Sequence, residues 1–142
     1  ENFKANNLKN VSGLHFHALC EQLESALERT LEGFEKRFGE YLKDMEWVNF
    51  GGGHHITRDG YDVDKLIKMI KEFKNRYPNI KDIYLEPGEA VGLNAGYLVA
   101  EVLDIIDNGM QIAILDTSAE AHMPDVLAMP YRPNVKGAGK PN

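Results

Sequence analysis

Three short apolar stretches each stop at residues that can do chemistry: His15-Phe16-His17, Gly51-Gly52-Gly53-His54-His55 and Glu86-Pro87-Gly88-Glu89. Successive glycines at a strand end have no Cβ and reach positive φ. They can therefore turn neighbouring amide N–H groups toward one point and form a concave site for an anion. The plainer reading of Gly51 to Gly53 is a tight turn against something that tolerates no side chain. No Lys-Ser/Thr pair follows the glycines, and Ile56 stands where Gly-x-Gly-x-x-Gly needs its third glycine, so neither nucleotide loop is present. A monophosphate suits such a cradle better than a nucleotide triphosphate.

A metal is the rival explanation. His15 and His17 share one strand face, and His54, His55, Glu86 and His122 are further imidazole and carboxylate groups from which a zinc or two-metal hydrolase site could be assembled. His-Glu-x-x-His is absent, there is no cysteine pair, and a metal leaves the triple glycine unexplained. No metal ligand is assigned on this reading.

The elements that must position these groups follow from periodicity. Val11 to Leu19 reads as a strand, with His15 and His17 on one face and Leu14 and Phe16 on the other. From Glu21 to Met45, apolar residues recur at steps of three and four from Leu23 to Leu42, the stripe of an amphipathic helix. Gly33 and Gly39 predict a kink or an early stop. Trp47 to Phe50 is the next strand. Asp62 is a natural N-cap for a helix over Val63 to Tyr77, with Val63, Leu66, Ile67, Ile70, Phe73 and Tyr77 as its stripe, and Ile80 to Leu85 is a third strand. Short apolar strands alternating with helices predict parallel pairing and right-handed crossovers, in a (β/α) barrel or an open doubly wound sheet. In such folds functional groups gather at the carboxyl ends of strands, where all three motifs lie.

Beyond Glu89 the pattern changes. Tyr97 to Asp107 and Met110 to Asp116 read as antiparallel strands joined by Asn108-Gly109, and Ala119 to Asn142 as irregular with a mobile end. The 142 residues carry a net charge of -6, which argues against a nucleic-acid surface. No apolar run approaches the roughly 18 residues of a membrane span. Glu1 to Asn10 is polar rather than a signal peptide, and a lone Cys20 forms no internal disulfide, so a cytoplasmic setting is expected.

The segments Gly-Leu-His-Phe-His-Ala-Leu-Cys-Glu-Gln, Asn-Phe-Gly-Gly-Gly-His-His and Leu-Glu-Pro-Gly-Glu-Ala-Val-Gly-Leu-Asn-Ala-Gly, in this order, resemble the fold type III pyridoxal-phosphate decarboxylases, relatives of ornithine and diaminopimelate decarboxylases. The similarity runs from about Val11 to Pro133. The resemblance implies that residues 1–92 are the last part of a (β/α)8 cofactor-binding barrel and 93–142 the start of an antiparallel β domain. It also implies pyridoxal 5'-phosphate as cofactor. His17 would stack on the pyridine ring, Gly51, Gly52 and Gly53 would hold the phosphate, and Glu86 would keep the pyridine nitrogen protonated. Cys20 falls where relatives have a phosphate-side serine, and Gly88 and Glu89 complete the Glu-Pro-Gly-Glu motif.

Ornithine and diaminopimelate decarboxylases have arginine where this chain has Glu89, which points to the carboxynorspermidine (carboxyspermidine) decarboxylase branch. The implied reaction is decarboxylation of a carboxylated polyamine, by a homodimer. A second carboxylate suits a polycationic substrate, and His54, Asp116, His122, Asp125 and Arg132 are candidates for the substrate side, with turn and loop structure as their plainer role. The family's cofactor-bearing lysine and its late catalytic cysteine match nothing here: neither Lys4, Lys9 nor the helical Lys65, Lys68, Lys71 and Lys74 sits in the right motif. The expectation is an internal piece of a longer enzyme, inactive and prone to self-association when alone. A catalytically inactive regulator of such a decarboxylase and a metal-dependent barrel hydrolase are the alternatives.

Overall fold

The computed structural model describes residues 8–138, so the start of the expected N-terminal loop, with Lys4, and the last four residues of the expected irregular tail lie outside the described residues. The chain divides into two compact units, at Ala95 and Gly96.

The first unit alternates strand and helix: β1 (Gly13–His15), α1 (Glu24–Leu42), β2 (Trp47–Asn49), α2 (Val63–Arg76), β3 (Asp82–Tyr84) and the short α3 (Gly88–Gly92). The strands form one parallel sheet in the order β1-β2-β3, with His15, Asn49 and Tyr84 level at its carboxyl edge. Each ladder is shorter than its apolar run. Pairing continues beyond it as single bonds, the Phe16 N–H donating to Asn49 O, the Phe50 N–H to Tyr84 O and the Glu86 N–H to Gly51 O.

Helix α1 runs through both glycines, without the early stop expected near Gly39. A Cβ at Gly39 would come 3.0 Å from the Tyr77 hydroxyl, so close packing against the end of α2 explains that residue. Its stripe buries Ala26, Leu27, Leu31, Phe34 and Leu42 against the sheet. Asp62 caps α2 as expected, its Oδ1 accepting from the Lys65 N–H at 2.9 Å. The buried stripe of α2 is Leu66, Met69 and Phe73, while Val63 and Ile67 are exposed. Leu66, Ile70, Phe73 and Tyr77 pack on the core as expected, and Met69 takes the place of Val63 and Ile67 at the edge of the stripe, because the broad apolar face of this sequence accepts either setting. Between helices and sheet runs a chain of rings: Phe34 to Phe16 at 4.8 Å, Phe16 to Phe50 at 5.6 Å and Phe50 to Phe73 at 5.1 Å.

In the second unit β4 (Val102–Asp107) and β5 (Gln111–Leu115) pair antiparallel. The Asn108-Gly109 turn forms as expected, with Gly109 at φ 75° and its N–H donating to Asp107 Oδ1 at 3.0 Å. Val102, Leu103, Ile105, Ile106, Ile114 and Leu115 are exposed, so the hairpin is held by its ladder rather than by a core. Where an irregular stretch is expected, two helical turns form, α4 (Ala119–His122) and α5 (Asp125–Ala128). The first is capped by Ser118, whose Oγ accepts from the Ala121 N–H. Each is only four residues long, less than the span over which a periodic pattern becomes visible. Among the described residues no helix is long and apolar enough to cross a membrane.

The ring chain supplies the first test of this packing. Phe73 is fully buried, and Phe73→Ala is expected to cost about 3–5 kcal/mol, as truncation of a core phenylalanine does. Urea unfolding followed by circular dichroism measures it, and a loss below about 1 kcal/mol contradicts the packing described.

Candidate functional site

The last residue of the central strand organises the sheet edge. Asn49 Nδ2 donates to Glu86 Oε1 at 2.7 Å, while its Oδ1 accepts from the Gly51 N–H at 2.8 Å. One carboxamide thus fixes both the turn that follows β2 and the carboxylate that follows β3. The other carboxylate oxygen, Glu86 Oε2, lies 3.5 Å from His15 Nε2 and 3.4 Å from His17 Nδ1. The alternation expected along β1 is what puts these histidines together, since Leu14 and Phe16 pack on the core. Three strand ends expected to share a site from sequence are therefore in contact, all near half exposed at His15, His17 and Glu86.

The carboxyl of Glu86 is held below the usual carboxylate range. The Asn49 hydrogen bond is the main cause, followed by that from His17, with the charges of His15 and His17 adding to it against a small opposing effect of burial. Hydrogen bonding to the ionised form favours that form. With the folded value depressed, these pairings are present through neutral pH and are lost only as acidification passes through the lowered value.

Close approach of backbone accounts for all three glycines. A Cβ at Gly51 would stand 2.3 Å from Phe16 O, at Gly52 2.3 Å from Glu86 O, and at Gly53 1.8 Å from Leu19 O. Gly51 and Gly53 also have φ of 69° and 74°. What tolerates no side chain is the chain itself, at the ends of β1 and β3. The amides are partly engaged: the Gly51 N–H meets Asn49, and the Gly52 N–H points at His17 Nδ1 at 3.4 Å.

His54, expected on the substrate side, has its ring 1% exposed and stacked on Tyr61, with Nδ1 2.7 Å from the Tyr61 hydroxyl. A substrate contact would require that ring to leave the core. Burial, aided by the charge of His55, lowers its pKa, and burial pushes the Tyr61 hydroxyl up to about 12. Glu89 Oε2 lies 2.6 Å from His55 Nδ1, a contact that becomes an ion pair when the imidazole is protonated, and this buried oxygen has no hydrogen-bond partner. Gly88 opens α3, and Cys20 is exposed in an open groove with Ala18, Gln22 and Arg29.

The remaining candidates belong to the second unit and have local partners. Asp116 Oδ1 accepts from the Glu101 N–H beside the hairpin, His122 Nδ1 faces the Ser118 backbone, and Asp125 O accepts from the Met129 N–H. Arg132 is exposed and has a partner. Sequence reasoning missed Asn49 and gave His55 only as an imidazole available to a metal. A polar residue closing an apolar strand was the available signal for Asn49, and its neighbour Gly51 the reason to look there.

An accessible carboxylate held ionised and fixed in place beside two imidazoles suits a cationic or protonated group of a ligand. No family profile matches the chain. It is 56% identical over 138 residues to a carboxynorspermidine/carboxyspermidine decarboxylase of Campylobacter jejuni, covering 97% of this chain and 36% of that protein. It is 48% identical over 132 residues to a carboxyaminopropylagmatine decarboxylase of Synechocystis, with coverage of 92% and 34%. The crystal structure of carboxynorspermidine decarboxylase from Campylobacter jejuni complexed with norspermidine superposes with a TM-score of 0.80 at 59% identity, over 92% of this chain and 34% of that one. Over this stretch the chain is similar to the carboxynorspermidine decarboxylases. It spans about a third of the length of the relatives it matches. The mixed α/β fold agrees with that decarboxylase structure, and the likeness to this branch expected from Glu-Pro-Gly-Glu is borne out.

Three substitutions test the geometry. Gly53→Ala meets both a positive φ and backbone at 1.8 Å, whereas Gly60, at φ 86°, has open space around the same position. Gly60→Ala is expected to cost about 1 kcal/mol of strain and Gly53→Ala clearly more, up to about 3 kcal/mol or beyond, as read by paired urea unfolding curves. Equal losses would show that Gly53 is not crowded. Asn49→Ala removes the main cause of the low Glu86 pKa. Carboxyl carbon NMR of Glu86 against pH should then show its midpoint move upward, and an unmoved midpoint refutes the assigned cause.

Proposed function

We propose that the intact protein is a pyridoxal 5'-phosphate-dependent decarboxylase acting on carboxynorspermidine or carboxyspermidine in polyamine synthesis. The observation that carries this reading is the Asn49-fixed, ionised Glu86 beside His17, within a stretch similar to enzymes named for that decarboxylation. The cofactor, when bound, supplies an electron sink for the pair released as carbon dioxide departs. Glu86 would hold a proton at the pyridine nitrogen, with Asn49 keeping the carboxylate aimed, and His17 would pack on the ring. Gly51, Gly52 and Gly53, with Cys20 and Gly88, would form the phosphate side.

Glu89, given with Gly88 to the cofactor side, lies 2.6 Å from His55, and its charge favours a polyamine substrate. Asp116, His122, Asp125 and Arg132 remain candidate substrate contacts, whereas His54, buried against Tyr61, is no longer one. The same reading assigns residues 1–92 to a (β/α)8 barrel and 93–142 to a β domain. It places the enzyme in the cytoplasm as a homodimer that binds neither nucleic acid nor membrane. The norspermidine in the Campylobacter jejuni complex supports a polyamine ligand.

The deciding experiment uses the full-length protein. Borohydride reduction in the presence of pyridoxal phosphate is expected to leave the cofactor on one lysine, detected by peptide mass spectrometry. Glu86→Gln is expected to lower kcat by about 100-fold or more, the scale of losing a positioned proton-holding group. A protein with no reducible adduct is the inactive regulator rather than the enzyme.

A further inference from the structure

The turn at Gly51 to Gly53 presents its amides unequally. The Gly51 N–H is taken by Asn49 Oδ1 and the Gly52 N–H faces His17 Nδ1, whereas among the described residues the Gly53 N–H has no acceptor. Its direction follows from the backbone of Gly53, at φ 74°, and so from how firmly the next residues are held. On the backbone side the grip is complete. Gly53 O accepts from the Gln22 N–H at 3.0 Å, and the His55 N–H donates to Gln22 O at 2.9 Å, so the segment after β1 brackets His54.

The buried side chain of His54 supplies the second grip. Its ring stacks on Tyr61 at 5.9 Å, and its Nδ1 lies 2.7 Å from the Tyr61 hydroxyl, while Nε2 is buried without a partner. A proton on Nδ1 would leave both the Nε2 lone pair and the tyrosine proton unpaired. With Tyr61 donating to Nδ1, only the Nε2–H is unpaired, so this arrangement costs less. Burial, aided by the charge of His55, favours the neutral imidazole, and burial pushes the Tyr61 hydroxyl up to about 12, so the bond joins two uncharged groups. A leucine facing a phenylalanine would fill the same space with no unpaired group. What the polar pair adds is one bond across seven positions of chain, over the exposed residues 57–60. Its far end is anchored. Tyr61 directly precedes Asp62, the N-cap of α2, whose N–H donates to the buried Glu24 Oε2 in the first turn of α1 at 3.2 Å.

We propose that His54 and Tyr61 are positioning residues for anion binding: their Nδ1–hydroxyl bond ties the exit of the glycine turn to the starts of both helices, and so holds the Gly53 N–H ready for an oxygen of a phosphate monoester. Neither side chain touches the phosphate. The source of that phosphate rests on the cofactor reading given above, while the tie between the turn and the helices stands on the contacts alone.

The full-length protein, stripped of cofactor, is titrated with pyridoxal 5'-phosphate and with pyridoxal, which lacks the phosphate. Tyr61→Phe and the double variant of His54→Leu with Tyr61→Phe are expected to weaken pyridoxal phosphate by about 10-fold or more, the scale of misplacing a hydrogen bond to a charged group, and to bind pyridoxal as the parent does. The double variant removes both partners and the unpaired nitrogen, so its urea midpoint should equal or exceed that of the parent. A merely structural pair would do the reverse, lowering the midpoint and leaving the preference for the phosphorylated form unchanged. Hydrogen exchange read by mass spectrometry without cofactor should quicken in peptides covering residues 51–56 and not in those of α2. Circular dichroism checks folding, and where one variant does not fold the other decides. An unchanged preference for pyridoxal phosphate over pyridoxal overturns the proposal, as does unaltered exchange at the turn. A parent protein that binds no pyridoxal phosphate refutes the cofactor reading and this proposal with it, whereas a parent that binds it no better than the variants refutes the positioning role alone.

Discussion

The carboxamide of Asn49 is the contact on which the sheet edge depends. It is the last ladder residue of the central strand, level with His15 on one side and Tyr84 on the other. From there it reaches forward to the Gly51 N–H and sideways to Glu86 Oε1. A shorter polar side chain could make one of these bonds but not both, and an apolar one neither. The turn after β2 and the carboxylate after β3 would then be positioned independently. A bidentate use of one side chain instead makes them a single unit, so the orientation of Glu86 is inherited from the register of the parallel ladder.

The glycine triplet has a different origin from the one its composition suggests. Three parallel strands that end together push their following residues into the same space. The middle one must then pass within contact distance of Phe16 O, Glu86 O and Leu19 O. Glycine is demanded at all three positions by that crowding, before any ligand is considered. The crowding also has a chemical consequence. With no side chain standing between them, His17 and Glu86 from the flanking strand ends come within 3.4 Å.

What could be read from sequence divides along physical lines. Alternation in Leu14-His15-Phe16-His17 and the 3.6-residue stripe of α1 are signals integrated over several residues, so the core face and the histidine face of β1 were legible, as were the Asp62 cap and the Asn108-Gly109 turn. That the three strand ends hold the reactive groups was legible too, because the topology puts them at one edge. The setting of α2 was not, since Val63, Ile67 and Met69 are all apolar and only packing chooses among them. Nor was the role of Asn49, because a single polar residue at the end of an apolar run has no periodicity. Its meaning comes from Glu86, 37 positions away. The burial of His54 was hidden for the same reason, its partner Tyr61 being supplied by the loop fold rather than by any local pattern.

Glu86 joins these observations through charge. An exposed carboxylate in water is paired only weakly with a neighbouring imidazole, yet this one is ionised, aimed and faced by two histidines while one oxygen is already committed to Asn49. The free oxygen therefore presents a concentrated negative charge in a fixed direction. His15 and His17 reach that oxygen from the same face of β1, so its direction is set on one side by the carboxamide of Asn49 and on the other by the alternation of the first strand.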